Sequence, residues 1–136
     1  MASFVKFEVF SENLSEKVHN LDSDTLAIYL TNTAPTVATN AVKADLAEIA
    51  TGNGYTGSQD TQNSTSRSGG TTSVIGVDVV ITASGGTVGP FRYVVLCNTT
   101  AASSPLIGYW DYGSSITLQS GETFTTDFGS SMFTVA

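Results

Sequence analysis

Reactive side chains are scarce in this chain. Its 136 residues include one cysteine, one histidine and one tryptophan, and charged residues make up only 12%. Cys97 has no partner for an internal disulfide. One His and one Cys also cannot fill a tetrahedral nitrogen–sulfur zinc shell. A hydrolytic triad would have to take its base from His19, and no G-x-S-x-G turn accompanies it. Basic residues are few as well: Lys6, Lys17, Lys43, Arg67 and Arg92 stand scattered against twelve acids, leaving a net charge of −7. Nucleic-acid binding needs clustered Lys and Arg to displace counterions from phosphates, so neither DNA nor RNA is an expected partner. No apolar run approaches the roughly 18 residues of a membrane-spanning helix, so no membrane contact is expected. Lys6 and Glu8 interrupt the apolar N-terminal stretch, which argues against a secretory signal and for production in a cytoplasm.

What the chain does have is alternation. Thr71–Ala83 places Ile75, Val77, Val79 and Ile81 on one face, with Gly76, Asp78 and Thr82 opposite, the period of a half-buried β-strand. Phe4, Val5, Phe7, Val9 and Phe10 read as a first strand. Ser11 reads as the N-cap of a short helix carrying Leu14, Val18 and Leu21, with His19 near its C-terminal end. Thr25–Thr31 reads as a second strand. Ala41–Ile49 reads as a second short helix, with Val42, Leu46 and Ile49 at helical spacing. Residues 57–70 contain no aliphatic or aromatic side chain and read as a long exposed polar loop.

Phe91–Asn98 is apolar on both faces and is expected at the centre of the core, with Cys97 as a small buried hydrophobe. Leu106–Tyr112, Ser115–Leu118, Glu122–Phe128 and Met132–Val135 complete about eight strands. The expectation is one domain over 1–136. It is mainly β: an antiparallel β-sandwich or jelly roll with one or two short helices. At this length roughly 70% of the unfolded surface can be buried without a metal or disulfide staple.

Carboxylates offer little more. Asp22 and Asp24 sit in a turn, but the sixth position from Asp22 is Ala27 rather than the glycine of an EF-hand loop. Whether Asp111, Glu122 and Asp127 converge is a question for the tertiary structure. Trp110 with Tyr109 and Tyr112 is the densest aromatic cluster. Such rings serve as core, as protein contacts or as sugar-stacking platforms, and alternation sets Tyr109 opposite Trp110 and Tyr112. Sequons occur at Asn13, Asn63 and Asn98. No catalytic, metal-binding or cofactor-binding residues are assigned.

Several runs resemble a family of small structural proteins of tailed-bacteriophage virions. These are Lys17–Leu26, Leu30–Pro35, Glu48-Ile49, Gly52–Tyr55, Gly89–Tyr93, Leu106–Gly108, Trp110–Ser115, Gly121–Phe124 and Asp127-Phe128. The resemblance implies a non-enzymatic virion component assembled in the host cytoplasm. Within that class it implies a capsid decoration (cement) protein, a homotrimer with a jelly-roll core bound to the major capsid protein. A tail or baseplate protein that contacts a receptor is the alternative, and a carbohydrate-binding module using Trp110 and Tyr112 is a further one. Phe4, Phe7 and Phe10 are candidates for the assembly contact, because a terminal strand can add to a neighbour's sheet edge; packing within their own domain is the plainer role.

Overall fold

The run that is apolar on both faces lies in the middle of the molecule, as alternation requires. The computed structural model describes residues 2–136. Its elements are β1 (Phe4–Lys6), α1 (Val9–Ser15), β2 (Leu26–Thr31), β3 (Gln59–Asp60), β4 (Ser64–Ser68), β5 (Thr71–Ile75), β6 (Val79–Thr82), β7 (Val88–Asn98), β8 (Leu106–Leu118), β9 (Thr123–Thr126) and β10 (Phe133–Val135), with one 3₁₀ turn at Lys43–Asp45. The largest sheet has five strands in the order β1-β8-β7-β2-β3, so β7 is its centre. A three-stranded sheet, β10-β5-β4, and a two-stranded one, β6-β9, complete the set. All strand pairs are antiparallel. The chain is mainly β with a sandwich-like core, as expected; the described residues form ten strands rather than about eight.

Alternation along β7 sorts the core into two layers. Val94 and Leu96 join Leu26, Ile28 and Leu30 of β2 and Trp110 of β8. They meet Val74 and Phe133 from the three-stranded sheet and Val79, Ile81 and Phe124 from the two-stranded one. On the opposite face Tyr93, Val95 and Cys97 pack with Tyr29, Tyr109, Phe7 and Leu46. Both faces of the central sheet are therefore covered, which is why β7 lacks a polar side.

Five local expectations are corrected. The helix starts at Val9, before Ser11, whose hydroxyl accepts from Lys6 Nζ at 2.8 Å instead of capping. It ends at Ser15, and Lys17 takes a left-handed φ of 66°, so Val18 and Leu21 lie beyond it. Only a 3₁₀ turn forms in 41–49. Ile49 N–H donates to Leu30 C=O at 3.0 Å, and Ala47 C=O accepts from Thr31 Oγ1 at 2.6 Å. Those bonds to β2 displace a helical ladder too short to be stable alone.

The polar stretch 57–70 is not a loop throughout, because it supplies β3 and β4. Backbone pairing needs no apolar side chain, and fully buried Thr61 donates its hydroxyl to Leu26 C=O at 2.7 Å. Thr71–Ala83 breaks into β5 and β6, which serve different sheets, leaving Val77 55% exposed at the break.

Gly54 shows how closely the turn at 52–55 sits on this frame. Its φ is +102°, and a Cβ there would fall 2.0 Å from the Thr82 carbonyl oxygen. Left-handed strain and forced displacement of β6 together predict that Gly54→Ala costs about 2–4 kcal/mol. Gly52, also at positive φ but with open space around it, isolates the conformational part. Urea denaturation of both variants checks this; equal, small losses would mean that the turn does not press on β6.

Candidate functional site

A polar network lies where the segment after α1 crosses one end of the sandwich. Residues 16–25 form a strap built on an Asx turn. Asn20 Oδ1 accepts from the N–H groups of Asp22 (3.2 Å) and Ser23 (3.1 Å), while Asn20 N–H donates to Asp24 Oδ2 at 2.9 Å. Two further asparagines tie this strap down. Asn98, at the end of β7 and with no solvent exposure, uses its whole amide. Its Nδ2 donates to Asp24 Oδ2 at 2.7 Å and to His19 Nδ1 at 3.0 Å; its Oδ1 accepts from Thr100 N–H at 3.0 Å and Ala101 N–H at 3.3 Å. Asn63, between β3 and β4, accepts from Leu26 N–H at 3.0 Å and donates to Leu21 C=O (2.8 Å) and Asp24 C=O (2.9 Å). Asp22 Oδ1 completes the tie by accepting from Thr65 N–H (3.1 Å) and Thr65 Oγ1 (2.9 Å).

The hydrogen-bond polarity sets the state of His19. Two backbone donors hold the Asn98 oxygen, so its nitrogen faces the ring and Nδ1 must be an acceptor. The imidazole is therefore neutral, with its proton on Nε2. Burial holds its pKa below the ordinary histidine range, with the Asp24 carboxylate opposing. His19 is 5% exposed and its Nε2 has no hydrogen-bond partner among the described residues. Phe10 lies beside it, ring centroids 5.3 Å apart. A buried donor left unmatched costs about 1–3 kcal/mol, which makes this a strained position.

The strap forms one wall of a cleft of about 660 Å³, lined by Leu14, Val18, Leu21 and Val135 with Thr72 and Thr100 at its polar side. Within it, no hydroxyl or thiol shares a hydrogen bond with His19 among the described residues. No group of three His, Cys, Asp or Glu side chains gathers to hold a metal ion among those residues. Asp24 is held below the usual carboxylate range by the Asn20 N–H and then by the Asn98 amide. It is an acceptor already in use.

The residues singled out from the sequence fall elsewhere. Phe7 and Phe10 are buried in their own domain. Phe4 is half-buried, stacked on Phe133 at 4.9 Å and edge-on to Trp110 at 5.3 Å. The rings of Phe7 and Phe10 therefore present no surface to an assembly partner; hydrophobic burial within the chain has claimed them. Trp110 is 3% exposed between Phe4 and Phe128, so it is core and not a sugar-stacking platform. Tyr112 is half-buried against Phe124.

Asp111 does not join Glu122 and Asp127; it binds Arg92 in a two-point pair at 2.8 and 3.1 Å, which lowers its pKa. Cys97 is fully buried, and burial pushes its thiol up to about 12, an unreactive state. Two of the sequon asparagines, Asn63 and Asn98, have both amide atoms occupied internally.

Asn98 and Asn63 carry the network, and sequence reading singled out neither as a structural residue. Asn98 follows an unbroken apolar strand and Asn63 lies in a polar run, so their convergence has no local signal. Asp22–Asp24 was legible only as turn chemistry, and Asn20 fell within the expected helix. Among the described residues no helix is long and apolar enough to cross a membrane. No protein-family model, curated protein or solved structure matches this chain.

Proposed function

We propose that this chain is a non-enzymatic structural protein of a tailed-phage particle, a decoration protein that binds the major capsid protein as a homotrimer. The observation that carries the reading is where the virion-like motifs fall: they build the frame. The first holds the Asn20–Asp24 turn that ties the strap. Glu48 and Tyr55 are joined through the Tyr55 hydroxyl, and that hydroxyl also accepts from Leu30 N–H at 3.1 Å. Gly54 lets the same turn rest on β6, and Arg92 pairs with Asp111 across β7 and β8. Residues spent on rigidity suit a body whose task is to bury surface against a lattice, at the usual scale of about 1,200–2,000 Å² per contact.

The charge of −7 supports the same reading, because such a surface is not drawn to packaged DNA. With Phe7 and Phe10 buried, any contact by the N-terminal segment falls to the outer edge of β1, where Val5 is 38% exposed. Strand addition there would use the backbone rather than the phenyl rings.

Copy number tests the proposal. Quantitative densitometry of purified particles should give about as many copies as major capsid subunits, within the factor that one trimer per capsomer junction allows. A handful of copies per particle would instead indicate the tail or baseplate, and absence from particles would end the virion reading.

A further inference from the structure

We infer that the strap over residues 16–25 is an acid-released latch with His19 as its trigger. The argument begins with the direction of one hydrogen bond. Asn98 Nδ2 faces His19 Nδ1 at 3.0 Å and Asp24 Oδ2 at 2.7 Å. A proton added to Nδ1 would set two donors against each other. Rotating the Asn98 amide does not relieve this. Its oxygen would then oppose the Asp24 carboxylate, and its nitrogen would face the Thr100 and Ala101 N–H groups that now donate to it. Neither orientation of Asn98 serves the imidazolium, so protonation must break the tie between the strap and β7.

The surroundings leave few other ways to absorb the charge. Nε2 has no acceptor among the described residues, and α1 faces the ring with Phe10. The cleft walls from β4, β5 and β10 bring Thr65, Thr72 and Val135, none of which titrates. Lys17 and Asp22 line the same cleft from the strap itself; Asp22 is engaged by Thr65. Asp24 is the one carboxylate that favours the charged ring, and desolvation outweighs it.

The direction of the pH effect follows. The folded-state pKa lies below the unfolded value of about 6.5, so the unfolded or opened strap takes the proton first as pH falls. The stabilisation supplied by the neutral ring is complete above about pH 6.5 and declines below it. Asp24, held below the carboxylate range, stays ionised through that interval and does not mask the effect. His19 is the single histidine of the chain. Release would uncover Leu14, Val18 and Leu21, the half-buried apolar wall of the cleft.

Hydrogen exchange of the full chain, corrected for intrinsic rates, tests the latch at about pH 7 and about pH 5. Peptides spanning 16–25 should lose roughly tenfold or more protection in acid, while β7 and β8 keep theirs. In His19→Phe, which keeps a buried ring but cannot titrate, the strap's protection should be the same at both values. Equal protection in wild type at the two pH values, or an equal loss in His19→Phe, would overturn the inference. If that variant does not fold, imidazole nitrogen shifts in the wild-type protein decide. An Nε2–H tautomer with a midpoint below about 6.5 supports the latch; an Nδ1–H tautomer or a higher midpoint refutes it.

Discussion

Trp110→Ala is expected to lower the stability of the protein by about 3–5 kcal/mol, the usual range for removing a large buried aromatic. At this chain length that corresponds to a fall in the thermal midpoint of roughly 10–20 °C. The indole lies between Phe4, at 5.3 Å, and Phe128, at 5.4 Å, and it sits on the β8 position paired with both Phe4 of β1 and Val94 of β7. Its loss opens a cavity where the edge strand, the central pair and the segment after β9 meet. Calorimetry of the variant measures the effect, and Trp110→Phe should recover most of it. A midpoint within a degree or two of wild type would mean that the indole is not part of the core. In that case a surface role in sugar recognition would return to consideration.

Asn98→Ala should be the most damaging substitution of a polar residue, at about 2–4 kcal/mol. Four hydrogen bonds end together: buried His19 Nδ1 loses its only partner among the described residues, and half-buried Asp24 Oδ2 keeps just the Asn20 N–H. Part of the loss is offset because the Thr100 end of the network lies near solvent and water can serve its N–H. Chemical denaturation gives the total. Limited proteolysis gives the location, with new cleavage expected between Lys17 and Thr25. A loss under about 1 kcal/mol, or cleavage spread evenly along the chain, would show that the strap is held by its own Asx turn and by Asn63 instead.

Much of the central sheet was legible in the residue order. The two-sided apolar run at Phe91–Asn98 is the middle strand, and the alternation of Tyr109 against Trp110 and Tyr112 places them on opposite faces. Burial of Cys97 followed from the same pattern. These positions were readable because packing against a sheet face imposes a period of two, and that period is written in consecutive residues.

The errors cluster where bonds come from far along the chain. The helical spacing of Val42, Leu46 and Ile49 was real, yet β2 took the peptide groups that a helix would have needed. Residues 57–70 looked unable to order, but β4 pairs with β5 through backbone groups that carry no mark in side-chain composition. For the phenyl rings at Phe4, Phe7 and Phe10 the plainer reading, packing in their own domain, holds for two: β1 pairing with β8 turned Phe7 inward, and the start of α1 buried Phe10.

The strap was the least visible of all, since His19 and Asn98 are 79 positions apart and meet only because β7 ends where the strap crosses. Residue order alone settled that this is a β-structured chain with little reactive chemistry and settled which strand is central, because hydrophobic burial acts through local periodicity. The tertiary structure alone decided which polar groups satisfy one another and in what protonation state. Hydrogen-bond direction depends on atoms brought together from distant segments, and no local pattern encodes it.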